Sequence, residues 1–166
     1  LPPNENVVIE DREIPGPEDA PPVGVRIYRP KAASGVLPGI FFIHGGGMIM
    51  GSVEGENLKA TELCEAIQAV VVSVEYRLAP EQPHLAPVQD CYAALKWMAK
   101  NADDLAFDPN RLAVVGGSAG GGLTIATTMM ARDKGFPRIC FQMPLYPMID
   151  DRHETPSSYE IMDVGI

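Results

Sequence analysis

The chain has no long hydrophobic run. Its longest apolar stretches, Ile40 to Ile43 and Ala69 to Val74, fall far short of the roughly 20 residues a membrane-spanning helix needs, so no membrane span is expected. Basic charge is also scarce. Thirteen Lys and Arg stand against 22 Asp and Glu, a formal net charge of −9, and the cations are scattered, so no stripe exists to neutralise phosphates and no nucleic-acid partner is expected. Cysteine is limited to Cys64, Cys91 and Cys140, an odd number without a CxxC pair, which leaves burial as small hydrophobes as the expectation for all three. The opening residues LPPNENVVIE have neither the basic nor the apolar region of a secretory signal. With 46% hydrophobic and 21% charged residues, an ordinary globular composition, a single cytoplasmic domain is expected.

What the chain does have is proline and glycine punctuation that cuts it into short segments. NVVIEDREI and VGVRIYRP alternate apolar and polar residues over part of their length, as half-buried antiparallel strands do, with PGPEDAPP as the loop between them. GIFFIH (39–44) and AVVVSVEY (69–76) are instead continuous and rich in β-branched and aromatic residues, the pattern of strands buried on both faces of a parallel sheet. Between them, ENLKATELCEAIQ places Leu58, Leu63, Ala66 and Ile67 on one helix face, which predicts a right-handed βαβ unit. APVQDCYAALKWMAKNADDLA predicts a second helix with Val88, Cys91, Tyr92, Leu95 and Met98 inward, and DPN a turn into the strand RLAVVG. GGLTIATTMMARDKG predicts a third helix closed by Gly135, and RICFQMPLYPMI one more strand. The result is an α/β sheet of about six strands, mostly parallel, with three main helices. Three helices cannot cover both faces of six strands, and the last strand would leave a bare edge. The missing C-terminal part of the same protein, or another chain, is expected to complete the sheet.

The chemistry is concentrated at two glycine tracts. GGSAG (116–120) has the G-x-S-x-G spacing between a strand and a helix, the setting of a nucleophile elbow, in which a sharp turn projects the Ser118 hydroxyl above the sheet. A phosphate-binding turn is the competing use of such a segment, but no P-loop lysine and no dinucleotide fingerprint accompany it. HGGGMIMG (44–51) follows the third strand directly. Bare glycine amides there, with that of Ala119, would stabilise the oxyanion of an acyl-transfer intermediate, commonly about 2.7–4 kcal/mol for one donor. Both tracts fall at carboxyl ends of strands, where open α/β sheets bind ligands. Met48 and Met50, just past the glycines, are candidates for an acyl pocket.

The segments HGGGMIMGS, VVVSVEYRLAPEQP, FDPNRLAVVGGSAGGGL and LYPMIDDRHETPSSYE resemble, in the same order, those of the hormone-sensitive-lipase family of α/β-hydrolases, bacterial carboxylesterases among them. The resemblance implies an α/β-hydrolase fold in which residues 1–166 form one partial catalytic domain without its last strands and cap, residues 147–166 being the start of the cap insertion. It further implies Ser118 as nucleophile, Gly45, Gly46, Gly47 and Ala119 as oxyanion-hole candidates, and His44 as a residue that shapes the loop rather than a base. Short to medium acyl esters are the implied substrates, with no metal or organic cofactor. One departure is local: the family usually has Asp where this chain has Gly117, so the hydrogen bonds of that carboxylate have no counterpart.

A serine hydroxyl needs a histidine to take its proton and an acid to orient the histidine. Downstream of Ser118 stand one histidine, His153, and the acids Asp133, Asp150, Asp151, Glu154, Glu160 and Asp163. Asp150 or Asp151 with His153 satisfies the chain order acid, then histidine, but residues two or three apart on one loop cannot form the relay and also reach Ser118. By the resemblance, the family's acid and histidine lie beyond this chain, and His153 is a cap or entrance residue. His84 reads as structural, Tyr76 and Arg77 as anchors of the LAPEQP turn, Asp108 with Asn110 as turn chemistry, and Trp97 as packing. Two alternatives stand beside a serine esterase: a non-catalytic ligand-binding relative, as the plant gibberellin receptors are, and a half-domain that acts as an assembly partner.

Overall fold

The computed structural model describes residues 4–82, 85–152 and 154–160. In chain order its elements are β1 (Val7–Ile14), β2 (Val23–Pro30), β3 (Leu37–Ile43), α1 (Asn57–Ile67), β4 (Val70–Glu75), α2 (Ala86–Lys100), α3 (Ala102–Leu105), β5 (Phe107–Gly117), α4 (Ala119–Asp133), β6 (Phe141–Leu145) and α5 (Pro156–Glu160). The strands form one sheet in the order β1-β2-β4-β3-β5-β6. The first two junctions are antiparallel and the other three parallel.

Side-chain parity along β3 and β4 organises the two layers, because successive residues of a strand face opposite sides of the sheet. Phe41, Ile43, Val70, Val72 and Val74 join one core with Cys91, Tyr92, Leu95 and Met98 of α2 and Leu123 of α4. Ile40, Phe42, Val71 and Val115 join a second core with Tyr28 and with Ala60 and Cys64 of α1. Continuous apolar strands are therefore explained: α2 and α4 cover one face and α1 the other.

Several local expectations change. Helix α1 buries Ala60, Thr61 and Cys64, while Leu58, Ala66 and Ile67 are exposed and Leu63 is half-buried. The small face lets α1 lie close to the buried ring of Tyr28, whose hydroxyl donates to Asn57 Oδ1 at 3.0 Å; a face of leucines would hold the helix off. The second predicted helix is two, broken at Asn101, which donates its backbone N–H to Trp97 and Met98 and its side chain to Trp97. The DPN segment does turn, with Asn110 N–H donating to Asp108 Oδ1 at 2.9 Å, but it lies inside β5 as an irregularity where the register with β3 jumps from Leu37↔Phe107 to Gly39↔Leu112. Cys64 and Cys91 are buried, whereas Cys140 is exposed, because it lies in the connection to an uncovered β6. Trp97 packs against the larger core. Arg77 anchors its turn by gripping the fully buried Asp90 through Nε and Nη2, both at 2.8 Å, and through its backbone N–H; His84 lies outside the described residues.

Among the described residues, strand β6 has only β5 as a neighbour, and Phe141 and Leu145 on it are 57% and 41% exposed. This is the bare edge expected from the element count.

The carboxyl end of β3 and the start of α4 approach so closely that a Cβ at Gly120 would overlap the carbonyl oxygens of Ile43 and His44. Backbone cannot yield as a flexible side-chain tip can. Gly120→Ala is expected to lower unfolding free energy by about 1–3 kcal/mol through overpacking, seen as a lower urea midpoint; an unchanged midpoint would show that α4 has room to retreat.

Candidate functional site

Ser118 sits between β5 and α4 with φ 57° and ψ −120°, a conformation that costs a non-glycine residue of order 1–3 kcal/mol and persists only where its surroundings hold it. Here the exit of β6 holds it. Ser118 N–H donates to Leu145 O at 3.0 Å, and Ser118 O accepts from the N–H groups of Met148 at 3.0 Å and Gly122 at 3.1 Å. The chain leaving β6 lies directly on the first turn of α4, where a Cβ at Gly122 would overlap Met148 O. The Ser118 hydroxyl is left partly exposed and makes no hydrogen bond among the described residues.

The glycine loop after β3 lies against this turn. A Cβ on Gly45 would stand 3.0 Å from Gly117 O and 3.6 Å from Ser118 Cβ. Gly46, at φ 117°, bends the loop so tightly that its own Cβ would overlap Met50 O, and its carbonyl accepts from the N–H groups of Ile49 and Met50. A cavity of about 290 Å³ results, lined by Ser118, Gly45, Gly46, Met50, Lys59 and Tyr146 among others. The backbone N–H groups of Gly45, Gly46, Gly47 and Ala119 donate to no acceptor among the described residues. Ala119 opens α4, where the first amides have no partner within the helix and the helix dipole favours negative charge.

Of the predicted site residues, the structure thus brings Ser118, Gly45, Gly46 and Met50 to one cavity, with Ala119 beside Ser118. Gly47 is exposed at the turn and does not line that cavity. Met48 packs on the core and lines a separate apolar groove with Leu85, Leu123 and Met148. The pairing of Asp150 or Asp151 with His153 involves a residue outside those described; Asp150 itself accepts from Arg152 Nε at 2.8 Å. Among the described residues, no group of three His, Cys, Asp or Glu side chains is placed to hold a metal ion. No helix among them is long and apolar enough to cross a membrane.

Two features escaped the sequence. Gly117 lies against the ring of Tyr146, since a Cβ there would stand 3.2 Å from the phenol oxygen, and that ring lines the cavity. Tyr76, buried, stacks on His44 with ring centroids 4.1 Å apart and planes 12° from parallel. Neither contact has a periodic signal in the chain.

His44 is fully buried. Its Nδ1 lies 2.7 Å from Gly45 O, so that nitrogen carries the proton and donates, while Nε2 has no hydrogen-bond partner. Burial lowers its pKa below the ordinary 6.5, opposed by the Gly45 bond and by the nearby Glu75 and Glu56. The ring is thus held beneath the loop by its bond to Gly45 O and its stack on Tyr76. Because the unfolded chain binds a proton at this position first, stability is present above about pH 6.5 and is lost as pH falls from there toward the lower folded value. Urea midpoints should accordingly drop between about pH 7.5 and 5.5, and His44→Asn, whose amide can donate in place of Nδ1, should shrink that drop; an equal drop in both proteins would show that His44 does not titrate this way.

Residues 40–164 match a family described as having the α/β-hydrolase fold. Carboxylesterase NlhH of Mycobacterium tuberculosis is 39% identical over 158 residues, which cover 95% of this chain and 49% of that protein. An arylesterase of Saccharolobus solfataricus is 36% identical over 144 residues, 86% of this chain and 43% of the relative. Among solved structures, a bacterial heroin esterase matches with a TM-score of 0.92 at 40% identity over 96% of this chain and 50% of that one. An esterase of Pyrobaculum calidifontis matches with a TM-score of 0.79 at 44% identity, over 84% and 45%. The chain spans about half the length of the curated relatives it matches. Sheet order, the strained serine turn and these matches agree, and the chain belongs to the hormone-sensitive-lipase-like group of the α/β-hydrolase fold.

Proposed function

We propose that the chain is the nucleophile-bearing part of a serine carboxylesterase acting on short to medium acyl esters. The observation that carries this reading is the sharing of one small cavity by the Ser118 hydroxyl and a glycine loop whose amides are unspent. In the proposed reaction Ser118 Oγ forms a bond to the ester carbonyl carbon as its proton passes to a base. The carbonyl oxygen becomes an oxyanion that amides of the glycine loop and Ala119 stabilise, and the base returns the proton to the departing alcohol as the C–O bond breaks. Water then releases the acid by the same steps. Met50 in the cavity supports contact with a short acyl group, whereas Met48 lies in a separate groove.

The base and its orienting acid are proposed to come from outside these residues. His44 is engaged beneath the loop, and relatives carry a further half that this chain does not span. That half would also pair with the exposed edge of β6, with residues 147–166 leading into a cap. A second reading, a ligand-binding relative without catalysis, is favoured by the lack of any imidazole in the Ser118 cavity among the described residues.

Intact mass and p-nitrophenyl butyrate hydrolysis, measured together on wild type and Ser118→Ala, decide between them. At 17.9 kDa the two proteins are expected to be indistinguishable. A longer polypeptide carrying the remainder should turn over the ester and lose about 10³-fold or more of that rate on Ser118→Ala. Ser118-dependent turnover at 17.9 kDa would overturn the placement of the base, and ester binding without turnover in the longer protein would favour the second reading.

A further inference from the structure

The glycine loop has no side chains of its own to hold its peptide planes, and glycine explores both signs of φ freely. Three planes nonetheless have defined directions, each set at its carbonyl. His44 O accepts from Tyr76 Oη at 3.0 Å. Gly45 O accepts from His44 Nδ1 at 2.7 Å, with Tyr76 Oη 3.5 Å away. Gly46 O accepts from the N–H groups of Ile49 at 3.1 Å and Met50 at 2.9 Å. These peptides are trans, and in a trans peptide the N–H points opposite to the C=O. Tying a carbonyl inward therefore aims the following amide outward, Gly45 and Gly46 through the two aromatic residues and Gly47 through the loop's own turn.

We infer that Tyr76 is a positioning residue of the Ser118 site: its hydroxyl sets the His44–Gly45 plane directly, and its ring, stacked on His44, fixes the imidazole that sets the Gly45–Gly46 plane. The inference rests on reading the Ser118 cavity as an oxyanion-stabilising site. Tyr76 suits the task because it is 2% exposed at the end of β4, a central strand, so its position is carried by the sheet rather than by the loop. Burial keeps the phenol protonated and a donor. The expected anchoring of the LAPEQP turn falls to Arg77 through Asp90, which leaves Tyr76 free for the oxyanion loop 32 residues earlier in the chain.

Tyr76→Phe keeps the ring stack and removes only the hydroxyl. Tyr92→Phe is its matched control, because Tyr92 donates to Phe136 O at 2.8 Å away from the site. In the 166-residue chain, ¹⁵N-resolved amide signals of Gly45 and Gly46 are expected to shift and to exchange with solvent faster in Tyr76→Phe and to stay as in wild type in Tyr92→Phe. Unaltered glycine signals in Tyr76→Phe, or equal changes in both variants, would overturn the inference. In a preparation with Ser118-dependent turnover, Tyr76→Phe should lower kcat about tenfold with KM little changed, since outright loss of one oxyanion donor costs about 10²–10³ in kcat; an unchanged kcat would also overturn it. Failure of the esterase reading shows separately, as turnover that Ser118→Ala leaves intact or that is absent from every preparation, and the amide signals decide the role of Tyr76 even then.

Discussion

The approach of helix α4 to the end of strand β3 is the constraint from which the rest of the site follows. At Gly120 the helix backbone meets the carbonyls of Ile43 and His44 with no room for a side chain. That contact brings the first turn of α4, and with it Ser118, to the same height as the loop that leaves β3. Since β3 and β5 are neighbours in the sheet with Ile43 beside Gly116, the glycine tracts at 44–51 and 116–120 meet across one strand spacing. Reactions that depend on preorganised donors are sensitive to displacements of about 1 Å, so a bulkier residue at this crossing would disturb the proposed chemistry as well as the packing.

The strained serine is maintained by structure on three sides. Leu145 and Met148 bind its backbone from the β6 exit, Gly122 closes the first helical turn, and the buried sheet beneath resists relaxation. Each buried apolar side chain contributes roughly 1.5–3 kcal/mol, so a distortion of 1–3 kcal/mol at one residue is small against the core that holds it. Gly117 fits the same arrangement. The ring of Tyr146 lies against it, and backbone hydrogen bonds tie the serine turn to β6.

The proposed chemistry is unevenly divided along the chain. Groups that would stabilise negative charge are backbone amides, built by strand ends and a helix start within these residues. Groups that would move the proton are side chains expected on later strands, beyond the uncovered edge of β6. The same edge therefore bears on both fold and proposed function: its exposed Phe141 and Leu145 are the surface against which the proposed remainder would pair.

Composition and spacing by themselves determined the sheet, the three main helices and the candidate serine, because each leaves a local mark. Strands buried on two faces read as continuous apolar runs, and a turn that must carry an outward serine between a strand and a helix needs small neighbours. The packing face of α1 was not legible, since Leu58 and Ile67 satisfy helical spacing as well as Ala60 and Cys64 do and only the proximity of Tyr28 selects the small residues. Nor was the hold on the glycine loop, where Tyr76 reaches His44 across 32 positions, or the hold on the LAPEQP turn, where Arg77 reaches Asp90 across 13; both are contacts without periodicity. Tertiary structure alone decided these, because which hydroxyl meets which carbonyl depends on how neighbouring strands align in the sheet, and that alignment is a property of the packed whole.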